Sequence, residues 1–261
     1  MMIQMLTKRT FFAIAVISAL AVLPAASASA AKAPAPIKIL VSNDDGVRAE
    51  GINALVDALR KEPNVKLTVV APLENKSGTG SSKTTGPLTA SKTTTLGGFP
   101  AVAVNGFPAD SVNYALDNLM KGKLKPDLVM AGINYGANLG TFVPISGTVG
   151  AARAGAARGI PAIASSQGLG NPMGWAAGVK ETIGWLRANR SSLKKGPVWN
   201  LNIPSCSTGK VRGTVLLKQT STTFYDFNAF GTVDCSLKTR PLTNDVTAYF
   251  AGFAPLVNIG R

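Results

Sequence analysis

The feature that most constrains the fold is a short apolar run that ends abruptly in an acidic turn. Residues 37–41 are apolar apart from Lys38, which is typical of a strand buried in a parallel sheet. The turn Ser42-Asn43-Asp44-Asp45-Gly46 follows, and a helical pattern comes next. In open α/β sheets such a turn lies at the carboxyl edge, where ligands bind. Two adjacent carboxylates there either hold a divalent cation or repel each other, while a turn that uses Asp and Asn only for capping is the simpler alternative.

The alternation of strand and helix predicts a Rossmann-like, doubly wound α/β fold with a mostly parallel sheet. The polar segment 72–98 is predicted to be a loop. After residue 203 the alternation of strand and helix is lost, which predicts a divergent C-terminal extension. Within this extension, 211–217 is a further strand candidate and 246–253 a strand or short helix. The remaining predicted strands are 65–71, 101–104, 126–132, 160–165 and 198–203, and the predicted helices are 49–61, 109–120, 149–158 and 175–189.

The first thirty residues have the anatomy of a secretory signal peptide. Lys8 and Arg9 precede an apolar run over 11–23, and small residues follow up to Ala30. The run is shorter than the roughly 20 residues that a transmembrane helix needs, although an uncleaved anchor is the alternative. We therefore expect an exported protein, periplasmic or secreted, with residues 31–261 as a single domain and no stable membrane insertion.

Charge and the absence of histidine narrow the chemistry. The formal net charge of +14 is dispersed as single Lys and Arg residues, which suits small anionic substrates at least as well as a nucleic-acid polymer. With no histidine in the chain, Ser-His-Asp catalysis and His-ligated zinc are excluded. Any metal site must use oxygen ligands, which favours Mg²⁺, Mn²⁺ or Ca²⁺. In an exported protein, Cys206 and Cys235 are expected to form a disulfide.

Polar residues follow the later strands at the corresponding points. Ser77 lies just beyond the second strand and Asn134 just beyond the strand 126–132, so both are expected at the same sheet edge as the acidic pair. A flexible loop at Ser77 and a turn-forming role for Asn134 are the alternatives.

A small-residue helix begins with Ser146-Gly147-Thr148. Serine is a favoured N-cap, and the amides that follow it can bind a phosphate, although capping and close packing alone would explain the composition. Asp110 falls in the first turn of another helix, where capping is the default interpretation and a role in the site is the minority one.

Taken together, these segments resemble the survival-protein E (SurE) nucleotidases in order and spacing over about residues 37–190. The segments that carry the resemblance are Ser42-Asn43-Asp44-Asp45-Gly46, Lys76-Ser77-Gly78, Gly132-Ile133-Asn134, Asn138-Leu139-Gly140, Ser146 to Arg153 and Gly159 to Ala164.

The resemblance implies a role for each matching residue. Asp44, Asp45, Ser77 and Asn134 would bind one divalent cation, Mg²⁺ or Mn²⁺, with Ca²⁺ as a stand-in in a crystal; Asp44, Asp45 and Asn134 would also be catalytic. Phosphate would be bound by Ser146, Gly147 and Thr148, with Asn43, Asp110 and Asn138 as weaker substrate-site candidates. The match weakens after about residue 204, where the family's dimerisation hairpin would lie, so a homodimer is left open.

The function expected is metal-dependent hydrolysis of nucleoside 5′-monophosphates, and of 3′-monophosphates as a further activity, by metal-activated water. Two alternatives stay open at this point. One is an exported protein that binds nucleotide or phosphate without turnover, since fold does not guarantee function. The other is a broad-specificity phosphatase acting on other phosphomonoesters.

Overall fold

The structure, a computed structural model, describes residues 36–193, 195–220, 231–237 and 241–260. The leader expected over 1–30 lies outside these residues, and its boundary with a single domain over 31–261 stays a prediction. The strands are β1 (Ile37–Ser42), β2 (Val65–Pro72), β3 (Thr89–Thr94), β4 (Pro100–Asn105), β5 (Leu128–Tyr135), β6 (Ala162–Gln167), β7 (Val198–Ile203), β8 (Cys206–Thr208), β9 (Thr214–Leu217), β10 (Val233–Asp234) and β11 (Ala254–Asn258). The α-helices are α1 (Glu50–Leu59), α2 (Pro108–Tyr114), α3 (Gly147–Ala157), α4 (Trp175–Asn189) and α5 (Asp245–Phe250).

Nine of the described strands form one sheet in the order β3-β4-β2-β1-β5-β6-β7-β11-β9. From β4 to β7 every neighbouring pair is parallel. Only the pairings of β3 with β4 and of β11 with β7 are antiparallel. The predicted doubly wound, mostly parallel α/β fold is therefore confirmed, and β1 lies at its centre with its acidic turn at the carboxyl edge.

Helices cover the sheet on both faces. Because successive residues of β1 point to opposite faces, each face of the strand packs against a different pair of helices. Ile39 packs in a cluster with residues of α1 and α4, whereas Leu40 packs in a second cluster with residues of α2 and α3. Both side chains are fully buried. This two-sided burial explains why β1 reads as an almost continuous apolar run, and it fixes the strand on which the acidic turn is mounted.

Three segments differ from the sequence predictions. The polar segment 72–98 contains β3, a Thr-rich edge strand that pairs with β4 and leaves most of its residues exposed, so it has no apolar alternation to reveal it. The predicted helix 109–120 is α2 followed by one π-helical turn, Ala115–Leu119. The segment 246–253, predicted as a strand or short helix, belongs to the short helix α5 over residues 246–250, so the helical alternative is confirmed there but the helix ends at Phe250.

The C-terminal extension, defined here as the described residues from Pro204 onward, is closed by a disulfide. Cys206 and Cys235 are joined with their Cα atoms 5.5 Å apart, as the cysteine count predicted. The bond ties β8 to β10, which form a separate two-stranded pair. In the part of the chain that the structure describes, no helix has the length and apolar character needed to cross a bilayer.

Candidate functional site

The site is built around Asp44 and Asp45, directly after β1. Asp44 is only 2% exposed, and its Oδ1 accepts a hydrogen bond from the hydroxyl of Thr148 on α3. The Asp45 Oδ2 accepts the backbone N–H of Tyr135 at 3.0 Å, at the end of β5. The backbone oxygen of Asp44 also accepts the N–H of Lys76 at 2.7 Å. Each carboxylate is therefore held in place by a different neighbouring segment.

Both carboxyl groups lie where a negative charge is costly. Burial raises the pKa of Asp44, and the hydrogen bond from Thr148 offsets only part of that effect. Burial and then repulsion by Asp44 raise the pKa of Asp45 to about 7, against the hydrogen bond from the Tyr135 N–H. A pair of this kind is stable as two anions only when a cation compensates it.

Asn134 reaches the acidic pair through an irregularity in β5. The pairing of β5 with β6 shifts register between Ala131 and Asn134, and such shifts re-aim a side chain next to a site. The Asn134 Nδ2 donates to the Gly136 oxygen at 2.7 Å, while its Oδ1 is buried without a hydrogen-bond partner. An unpartnered buried oxygen beside two carboxylates fits the donor set of a hard cation.

The first turn of α3 packs directly against Asp44. Ser146 caps the helix, its Oγ accepting the Val149 N–H at 3.1 Å. A Cβ added at Gly147 would lie 2.7 Å from the Asp44 Cβ and 2.8 Å from its Oδ2, so the close approach requires glycine. The N-terminal amides of an 11-residue helix are thus brought beside the acidic pair, where they can bind an anion.

A cavity of about 130 Å³ joins these groups. The sequence-predicted residues on its wall are Asp44, Ser77, Asn134, Asn138 and Ser146. The opposite part of the wall is more apolar and was not predicted from the sequence, because no local pattern distinguishes these residues from ordinary loop or core positions. It consists of Tyr135, Ala137, Phe142, Ile145 and Leu169.

Asn138 is placed by a network of amide side chains on β7. Its backbone N–H donates to the Asn202 Oδ1 at 2.6 Å, and its backbone oxygen accepts from Asn200 Nδ2 at 2.8 Å and Asn202 Nδ2 at 3.1 Å. The Asn138 side chain donates to the Ser166 hydroxyl at 2.9 Å. The two strand asparagines were missed at the sequence level, although an Asn-x-Asn spacing puts both side chains on one face of a strand.

Two weaker candidates have other contacts. Asp110 does not line the cavity; its Oδ2 accepts the Phe107 N–H at 3.0 Å, and the N–H and hydroxyl of Thr84 at 2.9 and 2.7 Å. It therefore acts as a cap that also holds the loop before β3. The Asn43 Nδ2 donates to the Gly46 oxygen at 2.9 Å across the turn, and its Oδ1 is buried without a partner.

The donor set for a metal is limited to two carboxylates and neutral oxygens. Within the described ranges, no group of three or more His, Cys, Asp or Glu side chains is arranged to hold a metal ion. The candidate oxygens are those of Asp44, Ser77 and Asn134 on the cavity wall, together with those of the adjacent Asp45, which is not itself part of the wall. This set suits a hard ion that retains several waters, as Mg²⁺ does, rather than zinc.

Comparison with known proteins supports the fold and the family resemblance. The family model for survival protein SurE matches residues 39–226. The 5′-nucleotidase SurE of Methylococcus capsulatus is 41% identical over 177 residues, which are 67% of this chain and 67% of the relative. That of Brevibacillus brevis is 38% identical over 187 residues, 69% and 71% of the two chains.

A solved structure gives the same result for the backbone. The crystal structure of the SurE protein from Aquifex aeolicus covers 85% of this chain and 93% of that chain, with a TM-score of 0.68 and 29% identity. The fold and site therefore define an α/β protein in which an acidic pair at the sheet edge lies beside the N-terminus of α3. This chain belongs to the SurE family, as the sequence motifs predicted.

Proposed function

We propose that this protein is a divalent-metal-dependent phosphomonoesterase that hydrolyses nucleoside 5′-monophosphates, with 3′-monophosphates as further candidate substrates. The coarser prediction, a nucleotidase of the SurE family, is confirmed by the family model and by relatives that are 5′-nucleotidases and that the match covers over about two thirds of their length. The observation that carries the proposal is the carboxylate pair of buried Asp44 and half-buried Asp45, with Asp44 packed against the N-terminus of α3.

Four residues would hold the ion: Asp44, Asp45, Ser77 and Asn134. Their fit rests on the raised pKa values of the two carboxyls and on the unpartnered Oδ1 of Asn134. When bound, Mg²⁺ or Mn²⁺ supplies Lewis-acid polarisation of the phosphoryl oxygens and a lower pKa for water.

The chain's own residues orient the phosphate. The amides of the first turn of α3, at Gly147 and Thr148, are directed at the carboxylate of Asp44, whose pKa they lower, and the helix dipole favours a further anion beside them. Thr148 has a second task that the resemblance did not suggest, since its hydroxyl fixes the carboxylate of Asp44. The apolar wall that includes Phe142 and Ile145 would face the leaving nucleoside.

The test is phosphate release from purified protein. We expect release from nucleoside 5′-monophosphates with Mg²⁺ or Mn²⁺ and none after treatment with a chelator, with activity restored by adding the metal. If nucleotide binds but no divalent ion gives release, the protein is a binding protein and the proposal fails. If a simple aryl phosphate is hydrolysed as efficiently as every nucleotide, the broad-specificity phosphatase is correct instead.

We also propose that the protein is exported, to the periplasm or outside the cell. Two observations support this: the leader-like composition of residues 1–30 and a disulfide of the kind that persists in oxidising compartments. The mass of the protein recovered from the periplasm should correspond to a chain that begins at Ala31, and a full-length cytoplasmic chain would contradict this. A homodimer stays a prediction, and light scattering would test it.

A further inference from the structure

One wall of the cavity is a loop whose beginning and middle are hydrogen-bonded to different parts of the protein. The substrate loop, defined here as residues 135–145 between β5 and the Ser146 cap of α3, carries Asn138, Phe142 and Ile145 to the cavity. Its first residue, Tyr135, donates its N–H to Asp45. The middle of the substrate loop, at Gly140, has its main anchors elsewhere, in the C-terminal extension.

Gly140 is clamped on both of its backbone polar groups. Its N–H donates to Asp245 Oδ2 at 2.9 Å, and its oxygen accepts from Gln219 Nε2 at 2.6 Å. Its φ of +51° is in the left-handed region, and an added Cβ would lie 2.7 Å from the Thr220 Cγ2. The position therefore accepts only glycine, because the backbone there lies against Thr220, shortly after β9.

Asp245 is a fully buried carboxylate whose partners are backbone amides. Besides Gly140, it accepts the N–H of Thr220 at 2.7 Å and of Val246 at 3.0 Å through Oδ1. A buried charge is tolerated only when its hydrogen bonds are complete. The three donors must therefore stay together, which ties the substrate loop to both Thr220 and the start of α5.

The underside of the substrate loop is packed by the same extension. Ala137, Leu139 and Phe142 form one buried apolar cluster with Val233, Cys235 and Tyr249. Phe142 thus lies in this cluster and also lines the cavity. A movement of the extension would be transmitted directly to the cavity wall because cores of this kind are close-packed.

We propose that Asp245, together with Gln219, is a positioning residue that sets the shape of the nucleoside-facing wall by anchoring Gly140. The proposal rests on the proposed function for the identity of the substrate. Asp245 lies beyond residues 39–226, the part of the chain that matches the family model. The phosphate side of the cavity, at Asp44 and α3, makes no contact with Asp245 in the hydrogen bonds described above, so the two sides should respond separately to mutation.

The decisive variant is Asp245→Asn. One carboxylate oxygen becomes an NH₂ group, which must face either the Gly140 N–H or the pair from Thr220 and Val246, so at least one anchor is lost. We expect KM for a nucleoside 5′-monophosphate to rise about tenfold or more while kcat changes less than about threefold. The matched control is Asn244→Ala, which removes the cap of the same helix (Asn244 Oδ1 accepts the Thr247 N–H at 2.9 Å) without touching Gly140. An unchanged KM in both Asp245→Asn and Gln219→Ala, the variant that removes the other anchor of Gly140, or an equal rise in Asn244→Ala, overturns the proposal.

A second measurement does not depend on turnover. Hydrogen exchange of the peptide that contains Gly140 should be faster in Asp245→Asn than in wild type or Asn244→Ala, and equal exchange in all three contradicts the anchor. If Asp245→Asn does not fold, Gln219→Ala removes the other anchor of Gly140 and should give the same rise in KM and in exchange. A wild-type protein without phosphatase activity would defeat the proposed function alone, since the exchange result still decides whether the anchor exists.

Discussion

The two halves of the cavity are built by regions of very different character. The phosphate side comes from the central strands and α3, where Asp44 and Asp45 follow β1, a strand that is almost completely buried. The nucleoside side is a loop held from outside by a short, disulfide-closed extension. The first region is fixed by burial on both faces of the sheet, the second by two hydrogen bonds to Gly140 and by an apolar cluster shared with the extension.

This difference implies a division of function. Groups that act on the phosphoryl centre are mounted on the rigid sheet, where small displacements cost most. Groups that contact the leaving nucleoside are mounted on a loop that can change without disturbing them, as is common for specificity elements. Damage to the first region should therefore lower kcat, and damage to the second should raise KM.

The largest expected effect is that of Asp44→Asn, which removes one of the two carboxylates. We expect kcat to fall about 10³-fold or more with the fold intact, because the site loses one of the two negative charges that would hold the cation. Activity is measured by phosphate release and folding by circular dichroism. The control Asp117→Asn, which alters an exposed pair with Arg158, should keep full activity. Normal turnover in Asp44→Asn would mean that the metal is held elsewhere.

A smaller loss is expected for Gly147→Ala. The added methyl would push α3 away from Asp44, since it would lie 2.7 Å from that residue's Cβ. We expect kcat to fall about 10²-fold. Gly184→Ala on α4 is the control, because nothing lies within 4 Å of its added Cβ. Since alanine favours a helix more than glycine does, the unfolding free energy of this control should rise by about 0.5–1 kcal/mol. Equal kcat in the two variants would show that the close packing of α3 is not needed for turnover.

Removing the disulfide should affect the nucleoside side more than the phosphate side. The double variant Cys206→Ser/Cys235→Ser should lose about 2–4 kcal/mol of unfolding free energy. Because Cys235 packs with Leu139 and Phe142, KM for the nucleotide should rise severalfold with little change in kcat. Wild-type protein treated with a reductant should show the same KM and kcat as the double variant. The KM and kcat of the double variant itself should not change when the reductant is added. A selective fall in kcat would contradict the division between the two sides.

The smallest effect is on the stability of metal-free protein. The pKa of Asp45 is raised from its usual 3.8 to about 7 in the folded state, so the folded protein binds the proton more tightly than the unfolded chain. Unfolding free energy should therefore fall as pH rises between about 4 and 7. Asp45→Asn should reduce this slope to the part contributed by Asp44, whose pKa is also raised, and should stabilise the metal-free protein at pH 8 by about 1–2 kcal/mol. Denaturant titrations in chelator test this, and a wild-type stability that rises over the same pH window would contradict it.

The phosphate side was accessible from the sequence because its residues come directly after predictable strands. Asp44, Ser77 and Asn134 were located by the rule that the carboxyl ends of parallel strands share one edge, and Ser146 by its position before a helix. Each of these signals is local, and the fold assembles them without further information.

The nucleoside side was not accessible in this way. Phe142 and Ile145 are ordinary apolar loop residues until packing places them on the cavity wall. Asp245 followed by Val246 gives only a helix start, and its bond to Gly140 joins residues 105 positions apart. The strand β3 was missed for a related reason, since an exposed polar edge strand lacks the alternation that identifies buried ones.

One kinetic comparison tests directly whether the phosphate side of the cavity determines kcat and the nucleoside side determines KM. Wild type, Asp44→Asn and Asp245→Asn are assayed under Mn²⁺ with a nucleoside 5′-monophosphate and with phenyl phosphate, which fills less of the cavity. We expect Asp44→Asn to lose kcat on both substrates, whereas Asp245→Asn should raise KM for the nucleotide far more than for phenyl phosphate. The same pattern of loss in both variants, on both substrates, would contradict this division.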